Sequence, residues 1–349
     1  MKNTKFEVLT YQYLEDKRNY WRNYTYKDCK MKIKKHILPY FEDKYVDDIK
    51  KADIIKWQQY LMDEGVTIKY INTIRSILHN IFRYACEYRD LESNPVFNTP
   101  RLKDHSPKKE MVFWEYKEYK QFIAEVDDPV YRRLFMFLYY TGARKGEARA
   151  LIWDQINFNN NIITISRSLE RGISVKAKQV VNAPKTGVSR TLLMNKELRE
   201  TLYSYYCERK MDLNFRSDEY VFGIKYPLAE ETIRRNKNKY CDKAKVKRIR
   251  LHDFRHSNAS FLISLGADIC VVSDRLGHKD RKQTLDRYSH MFPTRENELI
   301  EKIDAQSAIF NDYSYGLADV ILNFLEKINN LQNLSENDIM MIEKIKKIV

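Results

Sequence analysis

Leu251-His252-Asp253-Phe254-Arg255-His256, then Leu276-Gly277-His278, then Thr284-Leu285-Asp286-Arg287-Tyr288-Ser289-His290: the segment from Leu251 to His290 decides how this chain reads. His252 and Arg255 stand three apart, so on a helix they share a face. His278 follows Gly277, a residue suited to stopping a helix. Tyr288 comes ten residues after His278. Cationic and hydrogen-bonding groups beside a phenol suit one chemistry: the phenol attacks a phosphodiester, and the other groups hold the charge on its oxygens. The rival reading is a DNA-binding helix-turn-helix, with a helix over 254–265, Gly266 as its end and Asp268 capping a second helix over 269–276. That reading leaves Arg144, His252, Arg255 and Tyr288 as coincidences.

Upstream, an apolar helix predicted over 130–140 runs into Thr141-Gly142-Ala143-Arg144-Lys145-Gly146-Glu147. The glycine allows a sharp turn, which places Arg144 at the head of the next helix. A guanidinium there offers a planar fork to a phosphate. The period then changes. Residues 155–158 and 162–165, joined by Asn159-Asn160-Asn161, predict a β-hairpin. A second hairpin is expected from strands 179–183 and 189–194, with Pro184-Lys185-Thr186-Gly187 as its turn. Further helices are expected over 114–126, 196–209 and 232–243. Arg234, Arg235, Lys237, Lys239 and the run from Lys243 to Arg250 read as a basic surface.

Taken in order, Arg144, Lys185 at a hairpin tip, His252-x-x-Arg255, Leu276-Gly277-His278 and Tyr288 resemble the catalytic core of the tyrosine recombinases, the phage- and conjugative-transposon-type integrases. No single piece is specific, since His-x-x-Arg is common and the chain has 25 tyrosines. Order and spacing carry the resemblance. It implies a mainly α fold with a small antiparallel β-sheet (α+β), in which a helical core-binding bundle precedes the catalytic domain. It also implies a site-specific recombinase that cuts and rejoins DNA to integrate or excise a mobile element. Tyr288 would form a 3′-phosphotyrosyl link. Arg144 and Arg255, with His252 and His278, would hold the phosphate oxygens, and Glu147 would brace Arg144. Lys185 would protonate the leaving 5′-hydroxyl, with Lys178 and Lys176 as fallbacks, and His290 is a weaker candidate. No cofactor or metal is called for. The implied partners are double-stranded DNA with attachment or core sites, a homotetramer on synapsed DNA, and an accessory directionality factor. A type IB topoisomerase shares the chemistry and is the alternative enzyme.

The rest of the chain fits two domains, a natural division for 349 residues. Residues 4–97 carry helical apolar spacing in four stretches and are expected to form the bundle. Lys30, Lys32, Lys34, Lys35, Lys69, Arg75 and Arg83 read as its exposed cations. Residues 98–109, with Pro100 and Pro107, have linker composition. Residues 110–310 form the catalytic domain, and a break is expected over 311–316. Residues 311–349 are an amphipathic tail in which four lysines face six acids, a net charge of −2. Only the bundle and linker precede Arg144, so the arm-binding domain of many integrases is expected to be missing and the DNA site to be a short core. The net charge of +14 points to a polyanionic partner. The five scattered cysteines fit a reducing cytoplasm, here at the nucleoid, and no apolar run is long enough to span a membrane.

Overall fold

The computed structural model describes residues 4–107, 111–169, 181–182, 189–291, 296–330 and 334–347. By contacts the chain divides into two compact units, Met1–Arg281 and Lys282–Val349.

The first unit holds two separate hydrophobic clusters. The N-terminal one is built by α1 (Phe6–Arg18), α2 (Asn23–His36), the one-turn α3 (Leu38–Phe41), α4 (Lys51–Asp63) and α5 (Ile68–Tyr88). In α5 the apolar positions recur at three and four, and Ile71, Ile74, Leu78, Ile81, Phe82 and Ala85 are all buried. Pro39 does more than end α2. It occupies the first turn of α3, where its missing N–H costs nothing. Arg75 corrects an expectation: it is 7% exposed and not available to a phosphate. Its guanidinium donates to the carbonyls of Val96 and Thr99 and to the Thr99 hydroxyl. Asn72 bonds both the N–H and the carbonyl of Leu102. The start of the expected linker is therefore strapped along α5.

The second cluster runs from Trp114 to Phe254. It is built by α6 (Tyr116–Ala124), α7 (Pro129–Thr141), α8 (Lys145–Ala150), α9 (Lys196–Lys210), α10 (Glu230–Lys243) and α11 (Asp253–Ser264) with a small sheet, and α12 (Ile269–Leu276) packs on α11 and the sheet. Trp114 lies ahead of the helix expected to include it. Its N–H donates to Ser257 Oγ (2.9 Å) and its indole to the Lys247 carbonyl (2.9 Å). The first hairpin forms as expected, β1 (Ile156–Asn157) against β2 (Ile162–Ile165), with Asn161 at φ 56° in its turn. The strands of the expected second hairpin find partners further back. β3 (Ser168–Leu169) pairs β4 (Val181–Asn182), and β5 (Arg190–Leu193) pairs β2 in antiparallel register, which buries Leu192 beside Ile163. The tip, with Lys185, Lys178 and Lys176, lies outside the described residues.

The basic surface is also thinner than the sequence suggests. Lys237 is buried, and its ammonium donates to the Ile249 carbonyl. In the run from Lys243 to Arg250, Lys243, Lys247, Arg248 and Arg250 each pair with a carboxylate.

The second unit contains α13 (Lys282–Tyr288), α14 (Glu296–Asn329) and α15 (Glu336–Lys346). The break expected over 311–316 is absent. α14 is one helix of 34 residues that passes through Gly316, since a single helix-weakening residue costs only about 1 kcal/mol, which the rest of a long helix outweighs. Ser335 caps α15 as expected. No described helix is long and apolar enough to cross a membrane.

Candidate functional site

The site of the first unit is assembled around the end of α7. Leu134 to Thr141 are all buried, so this helix end is fixed by packing. Gly142 terminates it in the left-handed conformation, φ 61°. Arg144 then serves as the N-cap residue of α8, where the sequence placed it.

Three side chains from α11 and α12 bond the last carbonyls of α7. Asn258 Nδ2 donates to the Tyr139 oxygen (2.7 Å), Arg275 Nη2 to Tyr140 (3.2 Å) and Arg255 Nη1 to Gly142 (3.1 Å). These carbonyls have no partners within the helix, so the donors satisfy the helix end and are oriented by it. Arg144 returns the contact: its Nη2 donates to the carbonyl of Gly277 at 3.2 Å. Gly277 ends α12 with φ 65°, and the His278 N–H donates back to the Ser273 carbonyl at 3.2 Å, a Schellman-like closure. The structure thus brings Arg144, Arg255 and the turn that bears His278 together, across 133 residues of sequence in the case of Arg144 and Gly277.

Glu147 anchors the arrangement. Its side chain is fully buried, accepting from the Arg144 N–H (2.9 Å), Arg144 Nη1 (2.8 Å) and Arg190 Nη2 (2.7 Å). Burial alone would push this carboxyl up, but its bonds and charge contacts with Arg190 and Arg144 outweigh that and hold it below the usual glutamate range. The bracing of Arg144 by Glu147 matches the expectation. Arg190 was not foreseen, although it had a signal: it shares the core-facing register of β5 with Leu192. An arginine on the inward face of a strand needs a buried partner.

His252 precedes the first turn of α11 and is exposed, while Arg255, three residues on, is 1% exposed. The rings of His252 and His256 meet edge to face at 5.2 Å. His278 is half-buried. Tyr288 is the last residue of α13 in the second unit, and its side chain is buried. His290 falls in the 3-10 turn Ser289–Met291.

Arg144 and Arg190 hold the Glu147 carboxylate while Arg255 and Arg275 hold the carbonyls of Gly142 and Tyr140, so four guanidiniums converge on the end of α7 and the turn that bears His278, on a helical fold with a small sheet. Comparison with known proteins agrees. The phage integrase family model matches residues 113–295, and the phage integrase N-terminal SAM-like domain model matches residues 5–62. The ICEBs1 integrase of Bacillus subtilis is 32% identical over 300 residues, 83% of this chain and 79% of that protein. Among solved structures, the Tn1549 transposon integrase in complex with transposon right end DNA matches with a TM-score of 0.68 at 19% identity, covering 82% of this chain and 95% of that one. A lambda integrase dimer bound to a core site matches with a TM-score of 0.61 at 19% identity, covering 80% and 97%. The chain belongs to the phage integrase family: it is a tyrosine recombinase of the mobile-element integrase type. The topoisomerase and helix-turn-helix alternatives gain no support from these matches, and α11 and α12 point their polar side chains into the site.

Proposed function

We propose that this recombinase acts on double-stranded DNA through a phosphotyrosyl intermediate, with Tyr288 as nucleophile. The Tyr288 phenol releases its proton to solvent as its oxygen forms the new bond to the scissile phosphorus, and the bond to the 5′ oxygen breaks. Lys185 gives that oxygen its proton, which leaves a free 5′-hydroxyl. Arg144 and Arg255 hold the non-bridging oxygens, and His252 and His278 add hydrogen bonds to them. The phosphodiester energy is kept in the phosphotyrosine, so a 5′-hydroxyl from a partner strand can reverse the step. What carries this reading is the pair of guanidiniums fixed by the carbonyls of Gly142 and Gly277. Donors held in place before charge develops need no reorganisation when it does.

In this reading residues 4–97 clamp one side of the duplex, 98–109 link, 110–310 catalyse, and 311–349 serve assembly into a tetramer on synapsed DNA. Two separate hydrophobic clusters and the family models over 5–62 and 113–295 support the separation of the first part from the catalytic one. Solved relatives include integrases in complex with DNA, and lambda integrase is known as a tetramer bound to a Holliday junction. An accessory directionality factor would bias integration against excision, and a DNA substrate puts the work in the cytoplasm, at the nucleoid.

The test is Tyr288→Phe on a nicked duplex carrying the element's junction sequence. The variant should bind with near-normal affinity and form no denaturant-resistant protein–DNA band. Tyr206→Phe and Tyr240→Phe should still form one. A covalent band from the Tyr288→Phe protein would remove Tyr288 from its role.

A further inference from the structure

Arg190 has no part in the mechanism above, yet its side chain is only 8% exposed and joins the two segments that carry Arg144 and His278. On one side its Nη2 donates to Glu147 Oε2 at 2.7 Å. On the other its Nε donates to the Arg275 carbonyl at 2.9 Å. The stem and fork lie against Gly277 so closely that a Cβ there would come within 2.8 Å of Arg190 Cδ and 2.9 Å of Nη1. Arg144 closes the circuit, with Nη1 on Glu147 Oε1 and Nη2 on the Gly277 carbonyl. Arg190, Glu147, Arg144 and the Arg275–Gly277 turn therefore form a ring of four members, and every link is a hydrogen bond or a close packing contact.

We infer that Arg190 is a positioning residue for recombination: by closing this ring it fixes the Arg144 guanidinium against the Gly277–His278 turn. The inference rests on the reading of Arg144 as a phosphate ligand. A planar fork is what the position requires, because Nε and Nη2 must point at different partners at once, and an ammonium presents a single centre on a flexible stem. Removing Arg190 has two consequences. The Gly277 turn loses the surface it packs on. Glu147 keeps only Arg144 to offset its burial, so protonation becomes easier and Arg144 is held less firmly as pH falls. The defect must therefore be pH-dependent and must run through Glu147, two properties that a residue merely filling the sheet would not give.

The experiment uses the full chain on a nicked duplex and measures single-turnover adduct formation from acid to neutral pH, with DNA affinity and melting temperature alongside. Arg190→Met should keep its DNA affinity and lose about 10²-fold in adduct rate, the loss expected when a catalytic group shifts by about 1 Å. The acid limb of its rate profile should move to higher pH. Arg190→Lys should fall between Arg190→Met and the parent. Arg190→Met combined with Glu147→Gln should be no slower than Glu147→Gln alone, since both changes open the same ring. A parental rate with an unmoved acid limb, or defects that multiply in the double variant, would overturn the inference. If Arg190→Met does not fold, Arg190→Lys decides by the same limb. Arg144→Ala tests the underlying reading separately: if it forms adduct at the parental rate, Arg144 is not the phosphate ligand and the inference falls with it, whereas an inactive Arg144→Ala with a fully active Arg190→Met sinks the inference alone.

Discussion

Gly142→Ala is the sharpest probe of how the helix end positions Arg255. The backbone there has φ 61°, which an L side chain adopts at a cost of about 1–2 kcal/mol. Its added Cβ would also lie 2.6 Å from both Asn258 Oδ1 and Leu276 Cδ2. Neither neighbour yields easily. Asn258 is buried and bonded to the Tyr139 carbonyl, and Leu276 is buried at the end of α12. Overpacking of this kind costs about 1–3 kcal/mol, so the total is about 2–5 kcal/mol. For a unit of this size that is a fall in Tm of roughly 5–15 °C. Gly65→Ala is the control, because Gly65 also has positive φ, 74°, but nothing within 4 Å of an added Cβ. It should show only the conformational part. Well below its Tm, Gly142→Ala should still form adduct poorly, because the carbonyl that Arg255 donates to will have moved. Equal melting shifts for the two variants, or a Gly142→Ala protein with parental adduct rate, would refute the argument that this turn positions the site.

Arg75→Ala should lower the melting temperature and leave the salt dependence of DNA binding unchanged, whereas Lys34→Ala and Lys35→Ala, at exposed positions, should each reduce the salt slope by about one charge. Lys185→Ala should slow cleavage severely and recover when the leaving oxygen is replaced by sulfur, since a thiolate departs without a proton; equal defects on both substrates would pass the role to Lys178 or Lys176. Glu147 is held below its unfolded-state value, so it contributes stability above the ordinary glutamate range and that contribution is lost as pH falls through the lower folded value. Acid titrations of Tm should therefore be flatter for Glu147→Gln than for the parent, and a parallel curve would count against the buried ion pairs.

Much of this was legible in the residues because local rules and the global fold agree here. Gly142 before Arg144, Asp268 before α12 and Ser335 before α15 are terminus signals that act within a turn, and each is where the sequence put it. What failed was long-range. Arg75 and Lys237 look like surface cations by spacing, and only the return of residues 96–99 and of Ile249 onto their helices buries them. β5 was paired with the wrong neighbour because a turn signal predicts adjacency, while the buried register of Leu192 selected β2. The break at 311–316 was read from composition, and helical continuity on both sides overrode it.

That continuity changes how the tail must be tested. A truncation after residue 310 would sever α14 in the middle, and any loss could then be blamed on a broken helix. Point changes on the exposed face are cleaner. Leu325 and Ile342 are buried, and α15 packs back on α14, so these side chains serve the fold of their own unit. Val320 and Phe324 are 64% and 63% exposed in the single chain. Changing them should shift the melting temperature little, because surface substitutions away from packed features usually stay within about 0.5 kcal/mol. If residues 311–349 serve assembly as proposed, Phe324 is the anchor best suited to a neighbour's surface, since buried aromatics carry a large share of interface energy. Phe324→Asp should then fold, bind a half-site and form adduct on a nicked substrate, yet bind the full site with at least about 30-fold weaker cooperativity, the equivalent of a 2 kcal/mol hot spot, and yield few recombinants. A Phe324→Asp protein that assembles and recombines like the parent would show that the exposed face of α14 joins no subunits, and Leu325→Asp, which must unfold the unit whatever its role, could not show that.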